Sequence, residues 1–368
     1  MRPRAAARAL LLCTAAALLA SIAGVVPADA QQATAQVVPG MKAVGELWCA
    51  PDGSCLGVGL TEQHVAAVVV LRAAGPSGPI RPVPGAENLS SITCRPGGSC
   101  IAVGASGPDT SEGRRGVVVE VSRDGIPGPV RPVSGSGQLL DVDCPTATTC
   151  VAIGNLSANI PWYPYSVSTP VFTIIENGQP APARELPRRT GLVFGLACPS
   201  ETTCLVVHQG GFVVLRRSNG TWNATLRRVP LSTGGAVPAY DISCSSSTVC
   251  YATATAFIPS GGGYYAVPAI MPVSADGVAG RVQILTTEAG NAYDISCTVG
   301  RACTAVGGSN VATRALVVDV FRGTPAAVTT WPNFSDFSGV SCVGPATCGM
   351  VGGLGNTAYF VWHGPVPG

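Results

Sequence analysis

The chain is poor in the residues that carry charge or do chemistry. It has one lysine, Lys42, three histidines and four methionines in 368 residues, and only 11% of its side chains are charged. With a formal net charge of +2 and no basic cluster, capture of nucleic acid or of an anionic membrane is not expected. Long apolar runs are absent after residue 30, so no membrane span is expected beyond that point. Long helices are excluded as well, because 46 glycines and 31 prolines interrupt the chain throughout. Apolar residues, at 46%, are plentiful enough to build a core and exclude a disordered chain. The length suits two or three domains, or one large all-β domain.

The first thirty residues read as an address. MRPRAAAR is basic, residues 9–26 are apolar, and Ala28-Asp29-Ala30 is a small-residue cleavage site, which is the order of a secretory signal peptide. An uncleaved anchor is the competing reading, since the apolar stretch approaches the shortest bilayer span. Cleavage before Gln31 leaves residues 31–368 as an exported chain with equal numbers of basic and acidic side chains. The preference for arginine over lysine points to a GC-rich bacterial genome.

Cysteine is the residue in excess. Apart from Cys13, inside the apolar leader, all cysteines fall into C-x5-C pairs. The pairs are Cys49 with Cys55, Cys94 with Cys100, Cys144 with Cys150, Cys198 with Cys204, Cys244 with Cys250, Cys297 with Cys303, and Cys342 with Cys348. Successive pairs start 45 to 54 residues apart, the period of a propeller blade or a solenoid unit. In an exported chain such pairs are expected to form disulfides, each closing a local hairpin. Zinc is disfavoured, because metal-sharing pairs are spaced C-x2-4-C and the three histidines lie far from every pair.

The flanks repeat with the cysteines. Two residues before each first Cys stands an apolar side chain: Leu47, Ile92, Val142, Leu196, Ile242, Ile295 and Val340. Three residues after each second Cys stands a β-branched one: Val58, Val103, Ile153, Val207, Thr253, Val306 and Val351. Both flanks read as strands. A third strand follows, then a tight turn such as Asp124-Gly125, Asn177-Gly178, Asn219-Gly220 or Asp276-Gly277, then a fourth strand as in PIRPVP, PVRPVS and ARELP. Four antiparallel strands repeated seven times specify an all-β, seven-bladed β-propeller. The last repeat stops after its third strand, and residues 35–39 match the fourth strand of other repeats. That segment is expected to complete the last blade and close the ring.

This pattern resembles the Asp-box (sialidase-type) and photosystem II assembly-factor-like propeller superfamily. A Gly-ended second strand, here CIAVG at 100–104, and a D/N-G turn recur there in each blade. The resemblance covers about residues 35–364 and implies the fold. A sialidase-type box reads S-x-D-x-G-x-T-W, whereas SRDG at 122–125 and SADG at 274–277 bring Asp and Gly together and lack the Trp. Activity is therefore not implied.

Chemistry is sparse. Arg81, Arg131, Arg184 and Arg227 fall on fourth strands, the outer blade edges, where charge discourages edge pairing. No G-x-S-x-G nucleophile motif occurs. His64, His208 and His363 belong to different blades and are not expected to form one catalytic cluster. No catalytic residue is assigned and no cofactor is expected. One carboxylate set stands out: Asp141, Asp241 and Asp294, with Glu46 in phase, each three residues before a first Cys on the innermost strand. They read either as oxygen ligands for Ca²⁺ in the central channel or as acceptors for backbone amides of the neighbouring blade.

The leading expectation is a secreted, monomeric, non-catalytic binding or scaffold module whose partner is a glycan, a peptide or a cell-envelope protein. The alternative is an extracellular glycan hydrolase or lyase with its site at the channel mouth. The expected binding face carries the second-to-third loops. In blade 3 that loop, Asn155 to Thr169, holds Trp162, Tyr163 and Tyr165; in blade 5, Ala254 to Tyr265, it holds Phe257, Tyr264 and Tyr265. Blade 4, between them, has only His208 to Gly211. Two tall aromatic loops beside a short one are expected to leave a notch suited to sugar rings or peptide side chains. The competing expectation is that these aromatics fold back onto the blades as plugs.

Overall fold

A computed structural model describes residues 35–107, 113–158, 167–208, 210–229, 237–311 and 313–366. Its strands form seven antiparallel sheets; six run outward in chain order, as in blade 1 with Met41–Cys49, Ser54–Thr61, Ala66–Arg72 and Ile80–Pro82. The first strand of every blade touches the first strand of the next, and that of blade 7, Asp336–Gly344, touches that of blade 1. The ring is closed. Gln36–Val37 supplies the fourth strand of blade 7, with Gln36 opposite Phe360 and Val37 opposite Tyr359.

The core lies between blades. Seven hydrophobic clusters each draw on two adjacent blades, one cluster per seam. The apolar residue before each first Cys and the β-branched residue after each second Cys are buried in all seven blades. Both faces of a blade are covered by neighbours, which explains why the second and third strands are apolar on both faces, as in Val117–Val119. Val38 and Met41 are buried in the seam between blades 7 and 1. Removing residues 31–40 should therefore take Val38 out of that seam and bare the edge of Thr357–His363. Size-exclusion chromatography and a melting curve check this: aggregation and a lowered Tm are expected, and an unchanged soluble monomer would refute the closure.

The cysteines pair as the spacing predicts. Cys49 is bridged to Cys55, Cys94 to Cys100, Cys144 to Cys150, Cys198 to Cys204, Cys244 to Cys250, Cys297 to Cys303, and Cys342 to Cys348. Their Cα–Cα distances are 3.8–4.0 Å. This is closer than the roughly 4.5–5.5 Å of ordinary facing strand residues; the short covalent tie draws the strands together. In each bridge the second cysteine lies deepest: Cys55, Cys100, Cys150, Cys204, Cys250, Cys303 and Cys348 are all buried.

Just before the channel-facing carboxylate position the first strand bulges against the second, for example at Ala292/Asp294 and Leu139/Asp141. Opposite the bulge lies Gly59, Gly104, Gly154, Gly307 or Gly352, where a Cβ would come within 1.9–2.3 Å of a first-strand carbonyl oxygen. The Gly that ends the second strand is thus a steric requirement of the bulge, which re-aims the following side chain. Blade 5 has Ala254 there and a wider irregularity between Pro238 and Ile242. Its unpaired Tyr240 and Asp241 amides donate instead to Thr253 Oγ1, at 3.1 and 2.9 Å. That accounts for the single hydroxyl in an otherwise aliphatic column.

Two expectations need correction. Asn177-Gly178 and Asn219-Gly220 have both residues at positive φ, as a tight hairpin turn requires, but at Asp124-Gly125 and Asp276-Gly277 only the glycine does. The latter are wider turns held by Ser122 and Ser274, whose Oγ atoms accept from Ile126 N and Val278 N. Two fourth strands are also shorter than PIRPVP and ARELP suggest, with only Ile80–Pro82 and Arg184–Glu185 in the ladder, whereas the proline-rich Pro127–Val133 pairs over its length.

Candidate binding face and channel mouth

The second-to-third connection of blade 5 is a β-arm and not a loop. Val249–Ser260 pairs with Gly263–Ser274 around Gly261-Gly262, both at positive φ. Strand alternation sorts its aromatics. Phe257 faces Ala266 and Pro259 faces Tyr264 across the ladder, whereas Ile258 faces Tyr265. Ile258 and Tyr265 pack onto the seam between blades 4 and 5, while Phe257 and Tyr264 stay 45% and 74% exposed. One face of the arm is therefore a plug and the other is presented to solvent. Blade 3 extends in the same way through Thr149–Ala158 and Val167–Glu176; Trp162, Tyr163 and Tyr165 lie outside the described residues.

Blade 4 is short here, with Thr203–His208 followed by Gly211–Ser218. His208 ends its strand only 2% exposed, and its Nδ1 accepts from Gly210 N at 3.1 Å. Burial pushes its pKa down to about 4, so it is a neutral interior residue and does not line an open notch. His64 sits in the turn before the third strand of blade 1, at 3.3 Å from Lys42 Nζ, and His363 Nε2 is 3.2 Å from Asp319 Oδ2. The outer-edge arginines do more than face solvent: Arg131 donates to Gly178 O and Arg184 to Trp222 O, each on the next blade.

In the channel, the three aspartates clamp blade to blade. Asp141 Oδ2 accepts from Leu196 N at 2.6 Å, Asp241 Oδ2 from Ile295 N at 3.2 Å, and Asp294 Oδ2 from Val340 N at 2.5 Å. A second tier, one residue before the first Cys, does the same: Asp143, Ser243, Ser296 and Ser341 accept from Cys198, Cys297, Cys342 and Cys49 amides. The last of these crosses the closure seam. Burial raises the Asp141 pKa to about 7 and lifts Glu46 and Asp241 well above the carboxylate range, with repulsion among the four adding to it for Glu46 and Asp241. Asp294 is raised by the same burial. Any Ca²⁺ here would compete with the backbone clamps for the same oxygens.

Above the carboxylates, toward the arms, lies a tier that the cysteine-based phase did not single out. Leu140, Phe194, Tyr240 and Tyr293 occupy one position in blades 3 to 6, four residues before the first Cys, and Gly45, Ser90 and Ser338 occupy it in blades 1, 2 and 7. Tyr240 meets Phe194 and Tyr293 edge to face, with centroids 6.1 and 5.3 Å apart. These rings wall a cavity of about 100 Å³ whose remaining lining includes Glu46, Asp141, Asp241 and Asp294. Reading the column one residue earlier would have revealed the arc.

No protein-family model matches the chain, and no curated protein matches it in sequence. Solved structures match its fold. U3-55K superposes with a TM-score of 0.60 at 8% identity, covering 89% of this chain and 98% of that one. The WD40 propeller of Doa1 gives 0.55 at 12%, covering 89% and 96%. YCF48 bound to D1 peptide gives 0.54 at 11%, covering 92% and 96%. At such identities the likeness is one of fold, and by fold the chain is a seven-bladed β-propeller similar to the WD40 propeller of Doa1 and to YCF48.

Proposed function

We propose that the protein is a secreted, non-catalytic binding scaffold that holds a peptide or protein partner on the face bearing the second-to-third arms. The observation that carries this reading is the split arm of blade 5, in which Ile258 and Tyr265 anchor the hairpin while Phe257 and Tyr264 are held out to solvent. Rigid aromatics offer large contact area at low entropic cost. The fold likeness to YCF48, solved with a bound D1 peptide, supports a peptide over a glycan. Trp162, Tyr163 and Tyr165, which lie outside the described residues, are proposed as further ligand contacts. Export through the leader at residues 1–30 fits a chain with seven disulfides.

Peptide and glycan arrays probed with wild type and with the Phe257→Ala/Tyr264→Ala variant test this. Loss of a hot spot of about 2 kcal/mol lowers affinity roughly thirty-fold, and Tm should hold because both rings are already exposed. A Tm loss of several degrees with affinity intact would make these rings structural.

A further inference from the structure

We propose that the cavity at the channel mouth is a pocket for an alkylammonium group, supplied as a lysine side chain by a peptide on the arm-bearing face. This rests on the reading of that face as the binding surface. The wall comes first. Phe194, Tyr240 and Tyr293 form a one-sided aromatic arc, and Tyr240 is 38% exposed, so the arc is reachable from solvent. Aromatic rings attract ammonium groups through their quadrupole. The same position in blades 1, 2 and 7 holds Gly45, Ser90 and Ser338, side chains much smaller than the rings of the arc.

The lining supplies the counter-charge: an entering ammonium favours loss of a proton from a carboxyl that burial holds neutral in the empty cavity. Among the described residues, carboxyl groups are the only ionisable acids or bases that face the cavity apart from the two tyrosines; no Lys, Arg or His lines it. Another ring of this kind, Trp48, already has its own cation, with Arg123 4.3 Å from the ring centroid. The arc has none among the described residues, and the single lysine, Lys42, is bonded to His64. A cation for the arc would therefore come from another molecule. Size narrows the choice: about 100 Å³ admits an ammonium and its adjoining methylenes, well below the roughly 300 Å³ at which pockets begin to enclose a whole small ligand.

The test is calorimetric titration of the intact secreted protein with Nα-acetyl-lysine N-methylamide, its norleucine analogue, glucosamine and CaCl₂. The lysine amide should bind, and the norleucine analogue at least about tenfold more weakly. Tyr240→Leu should weaken the lysine amide roughly 3- to 30-fold. Asp241→Asn should weaken it comparably without lowering Tm, which separates a binding role from a folding one. Equal binding of the norleucine analogue, or an unaffected Asp241→Asn, overturns the proposal. Ca²⁺ that displaces the lysine amide at lower concentration assigns the cavity to a metal, and tighter glucosamine binding assigns it to an amino sugar; either overturns it too. If the lysine amide fails while Phe257→Ala/Tyr264→Ala still loses its array partner, the pocket falls and the face stands.

Discussion

Reduction of the seven bridges is expected to unfold the protein at temperatures where the oxidised form is fully native. Each bridge spans a sequence separation of 6, and closing so short a loop contributes roughly 2 kcal/mol by the chain-entropy model. Seven together reach the order of 15 kcal/mol, against a typical domain stability of about 5–15 kcal/mol. Packing adds to this. A Cβ on Gly349 of blade 7 would meet Cys49 Sγ at 2.6 Å and Cys55 Sγ at 3.0 Å, so the neighbouring blade already lies against the bridge of blade 1. Separated thiols need more room than the seam provides. Melting curves with and without a phosphine reductant, after complete reduction in denaturant, should differ by tens of degrees or show no folded baseline. A reduced form that refolds and melts within a few degrees of the oxidised one would mean that the seams suffice alone.

Stability should fall as pH rises from about 5 to 7. The sign follows from the carboxylates of the channel. Burial raises their folded-state pKa values above the unfolded range near 4, to about 7 for Asp141 and well above the ordinary carboxylate range for Glu46 and Asp241. The folded state therefore binds more protons than the unfolded one. Their contribution is complete below about pH 4 and is lost as pH climbs through the folded-state values. His208 works the other way between about pH 4 and 6.5, since its folded-state value is depressed to about 4. One histidine opposes four raised carboxyls, so the net slope stays negative across that range. Asp241→Asn keeps an oxygen for the Ile295 amide and removes one ionisation, so it should raise Tm at pH 8 and flatten the profile. A wild-type Tm that is level or rises between about pH 5 and 7 would contradict this.

The frame was legible because its constraints repeat. The cysteine pairs set blade number and phase, and the columns from Leu47 to Val340 and from Val58 to Val351 marked the seams, all of them buried in the structure. The orphan strand at the N-terminus had a vacant partner at the other end of the chain. The binding face was harder, because its features break the repeat. The arm of blade 5 looked like a loop, since Gly261-Gly262 and Pro259 mask strand alternation in Phe257, Ile258, Tyr264 and Tyr265. The aromatic arc stands one residue further from the cysteines than the carboxylates, and Gly45, Ser90 and Ser338 hold that position in three blades, so no repeated residue type marks it. The lower clamp tier was visible as Asp143, Ser243, Ser296 and Ser341, but short polar residues next to cysteine carry no signal until the neighbouring blade is in place.

The location of the binding surface is tested most directly by hydrogen–deuterium exchange on the protein with and without the ligand that scores highest on the arrays. Protection should concentrate in the arm from Thr253 to Tyr265 and in the first-strand segments around Tyr240 and Tyr293. Protection confined to the disulfide tips around Val299 and Pro345, on the opposite mouth, would place the function on the wrong face of the ring.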